Sequence, residues 1–337
     1  MPSFVPKLVL IQKSALEYPL GRDLKKRFEN RGIELLVYEK RVPPLPRASF
    51  GERFQLGKRT LAVSVRQARE FQSCRPSAHY QLPLVSGCPG YCEYCYLNTN
   101  LGQSPYVKVY VNVDEILHRA AAYTEQRRPD RTVFEGAATS DPVAVEGWTG
   151  ALLRAVEFFA LLPGAEFRFV TKYTDVESLL GARHSGKTTV RFSINCESIM
   201  NKFERGVPRL RSRLEAAKET AGAGYPLGFL IAPIFALDGW RREYEKLLLT
   251  VKRNIPEDTP LTFELITHRF TDRARKIIRQ AYPGTNVPLD DKDRVFKFGQ
   301  FGYGKYVYPQ ELMEELKEFF QTRINELFPL ATILYFV

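Results

Sequence analysis

Short apolar runs recur along the chain, separated by stretches whose apolar positions fall at helical spacing. The run at 7–11 and the run at 34–38 have the length of strands and flank a helical pattern at 20–30. A further strand is expected at 60–65. A proline-rich connection, Val42-Pro43-Pro44-Leu45-Pro46, interrupts this first part. From about residue 79 the rhythm becomes regular. Strands are predicted at 80–86, 132–137, 166–171, 189–195, 226–235 and 261–266, with helices at 113–123, 147–161, 175–180, 209–223 and 241–253. Strands alternating with helices imply parallel βαβ units, and six of them suggest an incomplete barrel, although a doubly wound sheet shows the same alternation. The predicted class is α/β, a partial (β/α)6 TIM-type barrel over residues 76–270, with an N-terminal α/β extension at 1–75 and a C-terminal extension at 271–337.

The C-terminal extension has its own pattern. Residues 294–308 alternate aromatic and basic side chains around Gly299, Gly302 and Gly304, which reads as a hairpin. A helix at 310–328 and a strand at 331–337 follow.

Composition narrows the class. The chain has 337 residues, 44% of them hydrophobic, enough for a sizeable core. The longest apolar run, 227–237, contains Pro233 and is too short to span a bilayer. Met1-Pro2-Ser3 opens no secretion signal, so a cytoplasmic protein with no membrane partner is expected. A net charge of +11 favours a polyanionic partner, because neutralising phosphates releases counterions.

Five cysteines are present, and three crowd into the string Ser86-Gly87-Cys88-Pro89-Gly90-Tyr91-Cys92-Glu93-Tyr94-Cys95. A disulfide framework does not explain that spacing. Three thiolates in one short loop can hold three irons of a [4Fe–4S] cubane and leave the fourth iron open to substrate. A structural zinc site needs a fourth ligand, for which Cys74, His79 or Cys196 are candidates, but no second cysteine pair exists here. Cys74 and Cys196 otherwise read as buried apolar thiols.

The spacing C-x3-C-x2-C with Tyr94 before the last cysteine resembles the radical S-adenosylmethionine superfamily, whose fold is a partial (β/α)6 barrel. Beyond the loop, Cys92–Gly102, Pro76–Pro83, Thr139-Ser140-Asp141-Pro142 and the hairpin at 296–308 resemble the spore photoproduct lyase family. The resemblance implies repair of 5-thyminyl-5,6-dihydrothymine, a thymine-dimer lesion of spore DNA, by a 5′-deoxyadenosyl radical mechanism. It implies a [4Fe–4S] cluster on Cys88, Cys92 and Cys95, with S-adenosylmethionine contacted by Tyr94, Ser140, Lys172, Ser193 and Ala232. Tyr96 would relay hydrogen between substrate and cofactor. An electron donor that the sequence does not identify is also implied, as are work inside the spore and a monomeric state.

One position departs from the family pattern. Ala138 stands where the family has the cysteine that quenches the product thymine radical. Alanine has no transferable S–H hydrogen, so an impaired last step is expected, as if the residue had been engineered. For DNA, Arg294, Lys297, Tyr303, Lys305 and Tyr306 are the expected contacts, with the hairpin as a wedge, since a cross-linked thymine pair stacks poorly and costs less to extrude. The basic clusters Arg205-Arg209-Arg211-Arg213 and Arg269-Arg273-Arg275-Lys276-Arg279 are further candidates or solvated helix faces. Two alternatives compete: a radical enzyme acting on RNA or protein, and a non-catalytic metal-containing nucleic-acid-binding protein.

Overall fold

The computed structural model describes residues 3–45, 49–67, 70–100, 105–298 and 304–337. Its strands in chain order are β1 (Leu8–Gln12), β2 (Glu34–Tyr38), β3 (Thr60–Ser64), β4 (Ser73–Cys74), β5 (Ala78–Gln81), β6 (Val85–Ser86), β7 (Val107–Tyr110), β8 (Thr132–Glu135), β9 (Ala165–Thr171), β10 (Thr188–Ile194), β11 (Leu227–Ile234), β12 (Leu261–Thr267), β13 (Val295–Phe298), β14 (Gly304–Val307) and β15 (Thr332–Phe336). One sheet has the order β2-β1-β3-β7-β6, a second runs β15-β12-β11-β10-β9-β8-β5-β4, and β13-β14 form a hairpin. In the second sheet, β5 with β8, β8 with β9, β11 with β12 and β12 with β15 pair in parallel. Strands β5 and β8 to β12, with their return helices, form the partial (β/α)6 barrel. Among the described residues no helix is long and apolar enough to cross a membrane.

By contact density the chain divides into two compact units, 1–89 with 101–190 and 223–225, and 90–100 with 191–222 and 226–337. In the first unit, β1 and β3 are buried along their length, and their unbroken apolar sequences fit parallel strands covered on both faces. Strand β9 alternates buried and half-buried residues, with Phe167 stacked on Phe159 of the helix Ala151–Leu161 at 5.1 Å. In the second unit, the buried Arg191 and Glu264 pair at 2.7 Å, and Tyr335 donates to the same carboxylate.

Two predicted elements divide. The run 80–86 is two strands in different sheets. Pro83, which has no N–H to give a ladder, lies at the break. Leu82 still donates to Glu135 beside the barrel, whereas Val85 pairs with Val109 antiparallel in the first sheet. The cysteine loop therefore leaves from β6 and not directly from a barrel strand. The predicted helix at 147–161 is two helices, Val143–Thr149 and Ala151–Leu161, separated by Gly150 at φ 59°.

The break puts Glu146 at the start of the second helix. Its buried carboxylate accepts the N–H groups of Leu152 and Leu153 at 2.8 and 2.9 Å. Arg27, from the helix Pro19–Glu29, donates to the Gly147 and Trp148 carbonyls, both at 2.7 Å. The N-terminal extension is thereby docked on the helix pair that follows Thr139–Pro142.

Burial pushes Glu146 up to about 7, outweighing the two N–H donors that favour its charge. The fold thus favours the protonated acid. That stabilisation is complete below the ordinary value of 4.5 and is lost as pH rises through about 7. Glu146→Gln, which cannot ionise, is expected to flatten the decline in Tm between about pH 5 and 8. Parallel Tm curves for the variant and the parent would contradict this.

Candidate active site

The cysteine loop is held by backbone bonds at both of its ends. Gly87 adopts φ 84°, and a side chain there would meet the Tyr106 carbonyl. Its N–H donates to Thr139 at 2.8 Å, and it forms a parallel bridge with Ser140. Lys58 Nζ donates to the Cys88 carbonyl at 2.9 Å. Further along, Tyr91 N–H donates to Arg205 and Glu93 N–H to Phe203, at 2.8 and 2.9 Å. The Cys92 carbonyl accepts from the Cys95 N–H and from Asn98, both at 3.1 Å. None of the three is in a disulfide, nor are Cys74 and Cys196.

In the first unit, the end of β8 brings Ala138 and Ser140 beside this loop. Asp141 accepts Thr171 Oγ1 at 2.7 Å and the Lys172 N–H at 2.8 Å, so the ends of β8 and β9 are locked together and Lys172 is set next to Ser140. A carboxylate accepting such donors removes backbone freedom where a ligand-binding residue is needed.

In the second unit, Tyr94 donates to Glu204, and Glu204 pairs with the fully buried Arg213 at 2.5 Å. Arg213 also donates to the Ser193 carbonyl at 2.8 Å. Burial, with the Glu204 carboxylate beside it, holds the Tyr94 hydroxyl well above the ordinary phenol range, so it remains a donor. Asn195 donates to the Pro233 carbonyl at 2.7 Å, which sets the ends of β10 and β11, and so Ser193 and Ala232, side by side. Glu93, also buried, accepts from Thr285 at 2.6 Å and pairs with Arg205 at 3.1 Å. Tyr282, at the end of the helix Asp272–Ala281, is pushed far up by burial and by the neighbouring Cys92 and Cys95.

Sequence reasoning missed Glu204, Asp141 and Lys58, and it placed Arg213 in a basic cluster; the structure buries Arg213 instead. Asp141 stood within the Thr-Ser-Asp-Pro string, whereas nothing local marks the other two. Cys196 is buried as expected and its thiol is pushed up by burial, but Cys74 is only half-buried. Cys74 pairs with Ala78 at the barrel edge. A few residues on, Ser77 donates to Glu135 at 2.9 Å, and the other oxygen of Glu135 accepts the Ala137 N–H at 3.0 Å. One buried carboxylate therefore joins the Cys74 segment to the Ala138 segment. Residues 75–79 also line a cavity of about 340 Å³ with Glu166 and Arg168. Tyr96 presents its side chain to solvent at 55% exposure.

The hairpin forms as predicted, although Tyr303 lies outside the described residues. Phe296 and Phe298 are exposed, the latter at 74%. Lys297 and Lys305 face each other across the strands. Burial, and the charges of Arg269 and Lys297, lower Lys305 from its ordinary value. Like charges set opposite each other cost stability, so this cluster suits an anion. Tyr306 stacks on Phe270 at 5.2 Å and lies under Arg275. Arg294, also among the expected DNA contacts, is half-buried. Its guanidinium donates to the His268 carbonyl at 2.8 Å, approaches His268 Nδ1 at 3.1 Å and covers the Tyr308 ring at 3.7 Å. Burial and Arg294 hold His268 well below the ordinary imidazole value, which leaves a neutral ring able to accept that bond. Arg275 is likewise engaged, with Asp272 and Asp291.

A family model described as spore photoproduct lyase matches residues 4–337. The spore photoproduct lyase of Clostridium acetobutylicum is 48% identical over 330 residues, which is 98% of each chain. That of Geobacillus sp. is 44% identical over 340 residues, covering 100% of both chains. A solved spore photoproduct lyase carrying a cysteine-to-alanine and a serine-to-cysteine substitution, with bound AdoMet and dinucleoside spore photoproduct, superposes with a TM-score of 0.97. It is 45% identical and covers 100% of both chains. Its two substituted positions are as far apart as Ala138 and Cys74 are here, the new cysteine again coming first.

The Glu204–Arg213 pair gives a direct test of the site's construction. Glu204→Ala leaves a fully buried guanidinium uncompensated and is expected to cost about 3–5 kcal/mol in urea unfolding. Loss of under about 1 kcal/mol, the range of exposed pairs, would contradict the pairing.

Proposed function

This chain belongs to the spore photoproduct lyase family, and on that premise we propose how its residues divide the work of reversing the spore photoproduct. It is a radical S-adenosylmethionine carbon–carbon lyase, and the readings as an RNA- or protein-modifying enzyme or as a non-catalytic binding protein are not favoured. The substrate is DNA carrying 5-thyminyl-5,6-dihydrothymine, which is returned to two thymines.

Cys88, Cys92 and Cys95 fit a [4Fe–4S] cluster. They are outside any disulfide and share one loop whose backbone polar groups are bonded on both sides. When bound, the cluster and S-adenosylmethionine supply the electron and hydrogen-atom chemistry that opens the lesion.

The protein's part is position. The observation that carries this reading is the bond from Gly87 to Thr139, which sets Cys88 beside Ser140 at the strand ends where barrel active sites lie. Tyr94, Ser140, Lys172, Ser193 and Ala232 are the residues assigned to S-adenosylmethionine, with Glu204 holding the Tyr94 hydroxyl. Tyr96, open to solvent, meets the lesion and relays hydrogen. Lys297, Lys305 and Tyr306 hold DNA, and the exposed Phe298 extends that surface. The enzyme works as a monomer in the spore interior, with a one-electron donor.

The last step needs a hydrogen that Ala138 cannot give. Cys74 supplies it. Support comes from the half-buried thiol, the Glu135 link between the two segments, and the matching interval of substitutions in the solved relative. In this reading Ala138 is no lesion. The Cys74 sulfur would give a hydrogen atom to the product thymine radical, and the thiyl left behind would be returned to thiol through Tyr96 by a hydrogen from the 5′-deoxyadenosine that S-adenosylmethionine cleavage releases.

Anaerobically reconstituted protein in D2O, given S-adenosylmethionine, a reductant and dinucleoside spore photoproduct, is expected to yield two thymidines with deuterium from the exchanged thiol. Cys74→Ala should divert the lesion to by-products. Clean, full-rate repair by Cys74→Ala would remove the thiol from the scheme, and an intact lesion with the parent chain would remove the lyase reading.

Replacing Lys297 and Lys305 together with Gln should weaken duplex binding and reduce the slope of log K against log salt by about 2. An unchanged slope would take the phosphates off the hairpin.

A further inference from the structure

Lys58 ends the helix Phe50–Lys58 and is 1% exposed. Its placement follows from the local sequence. Ser49 and Glu52 form a capping box that starts the helix, and Phe54 lies one turn before Lys58, on the same face. Thr60 opens the buried strand β3 only two residues later, so the lysine stem cannot snorkel outward. The ammonium instead donates to the Cys88 carbonyl at 2.9 Å and lies 5.6 Å from the centre of the Phe54 ring. Among the described residues no carboxylate pairs with it.

A buried ammonium without a counter-charge is costly, even with the carbonyl-rich end of a helix in its favour. Its retention points to an anion that the polypeptide does not provide. Three thiolates and the inorganic sulfides make an iron–sulfur assembly anionic, and reduction adds one more negative charge. A fixed cation beside one ligand stabilises the reduced form more than the oxidised form.

We infer that Lys58 is the counter-charge of the cluster and a positioning residue that raises its reduction potential, an inference that rests on Cys88, Cys92 and Cys95 being the ligands. The N-terminal extension then has a part in the chemistry: it brings one cation to the back of the cysteine loop.

The test is an EPR-monitored redox titration of the anaerobically reconstituted full chain, without lesion, with the iron content of each sample measured. Lys58→Gln keeps a donor for the Cys88 carbonyl but no charge, Lys58→Met keeps neither, and Lys58→Arg keeps both. Gln and Met are expected to lower the reduction equilibrium at least tenfold, about 59 mV for one electron, while Arg stays near the parent value. Equal midpoints in all loaded variants would overturn the inference. So would a Met variant that loses iron beside a Gln variant with the parent potential, since Lys58 would then only hold the loop. If the parent chain itself takes up no cluster, the ligand assignment falls first and this inference with it.

Discussion

A short loop that presents three thiolates must have its own backbone satisfied before it can be a ligand frame, because buried amides left without partners cost as much as the order they would create. Here that requirement shapes the whole site. The loop's first half is bonded to Thr139 and to Lys58, and its second half to Phe203, Arg205 and Asn98. Thr139, Phe203 and Arg205 lie in segments that follow barrel strands, and Asn98 lies in the short helix that continues the loop.

The charges divide by what they face. Inside, each prominent charge has its complement: Glu204 with Arg213, Glu93 with Arg205, Arg191 with Glu264, Asp141 with backbone and hydroxyl donors. At the hairpin, Lys297, Lys305 and Arg269 crowd together. The first pattern fixes geometry and the second invites a polyanion. Lys58 belongs to neither pattern, being a buried cation bonded to the backbone of the cysteine loop.

Much of the fold was legible because buried parallel strands are short apolar runs bounded by turns: the barrel strands β8 to β12 lie within a few residues of where those runs place them. What was not legible depended on distant partners. Pro83 marks a break in the run but not that the chain leaves one sheet for another, and a single glycine at 150 was enough to divide one helix into two. Cys88, Cys92 and Cys95 stand out as candidate ligands by their spacing, because that signal is local. Glu204, Arg213 and Lys58 do not stand out, because their roles are set by partners far along the chain. Arg294 reads as a phosphate contact within a basic aromatic stretch, and its bonds to His268 and Tyr308 could not be read there. Cys74 reads in the sequence as a buried apolar thiol, and its tie through Glu135 to the Ala138 segment is set by partners far along the chain.

The account stands on the claim that this loop carries a cubane cluster. The most direct measurement is the iron, sulfide and zinc content of anaerobically reconstituted protein beside a Cys92→Ala variant. The account predicts close to four irons and four sulfides per chain, on the order a cubane requires, collapsing in the variant. Tight zinc with no sulfide in the parent chain would contradict it.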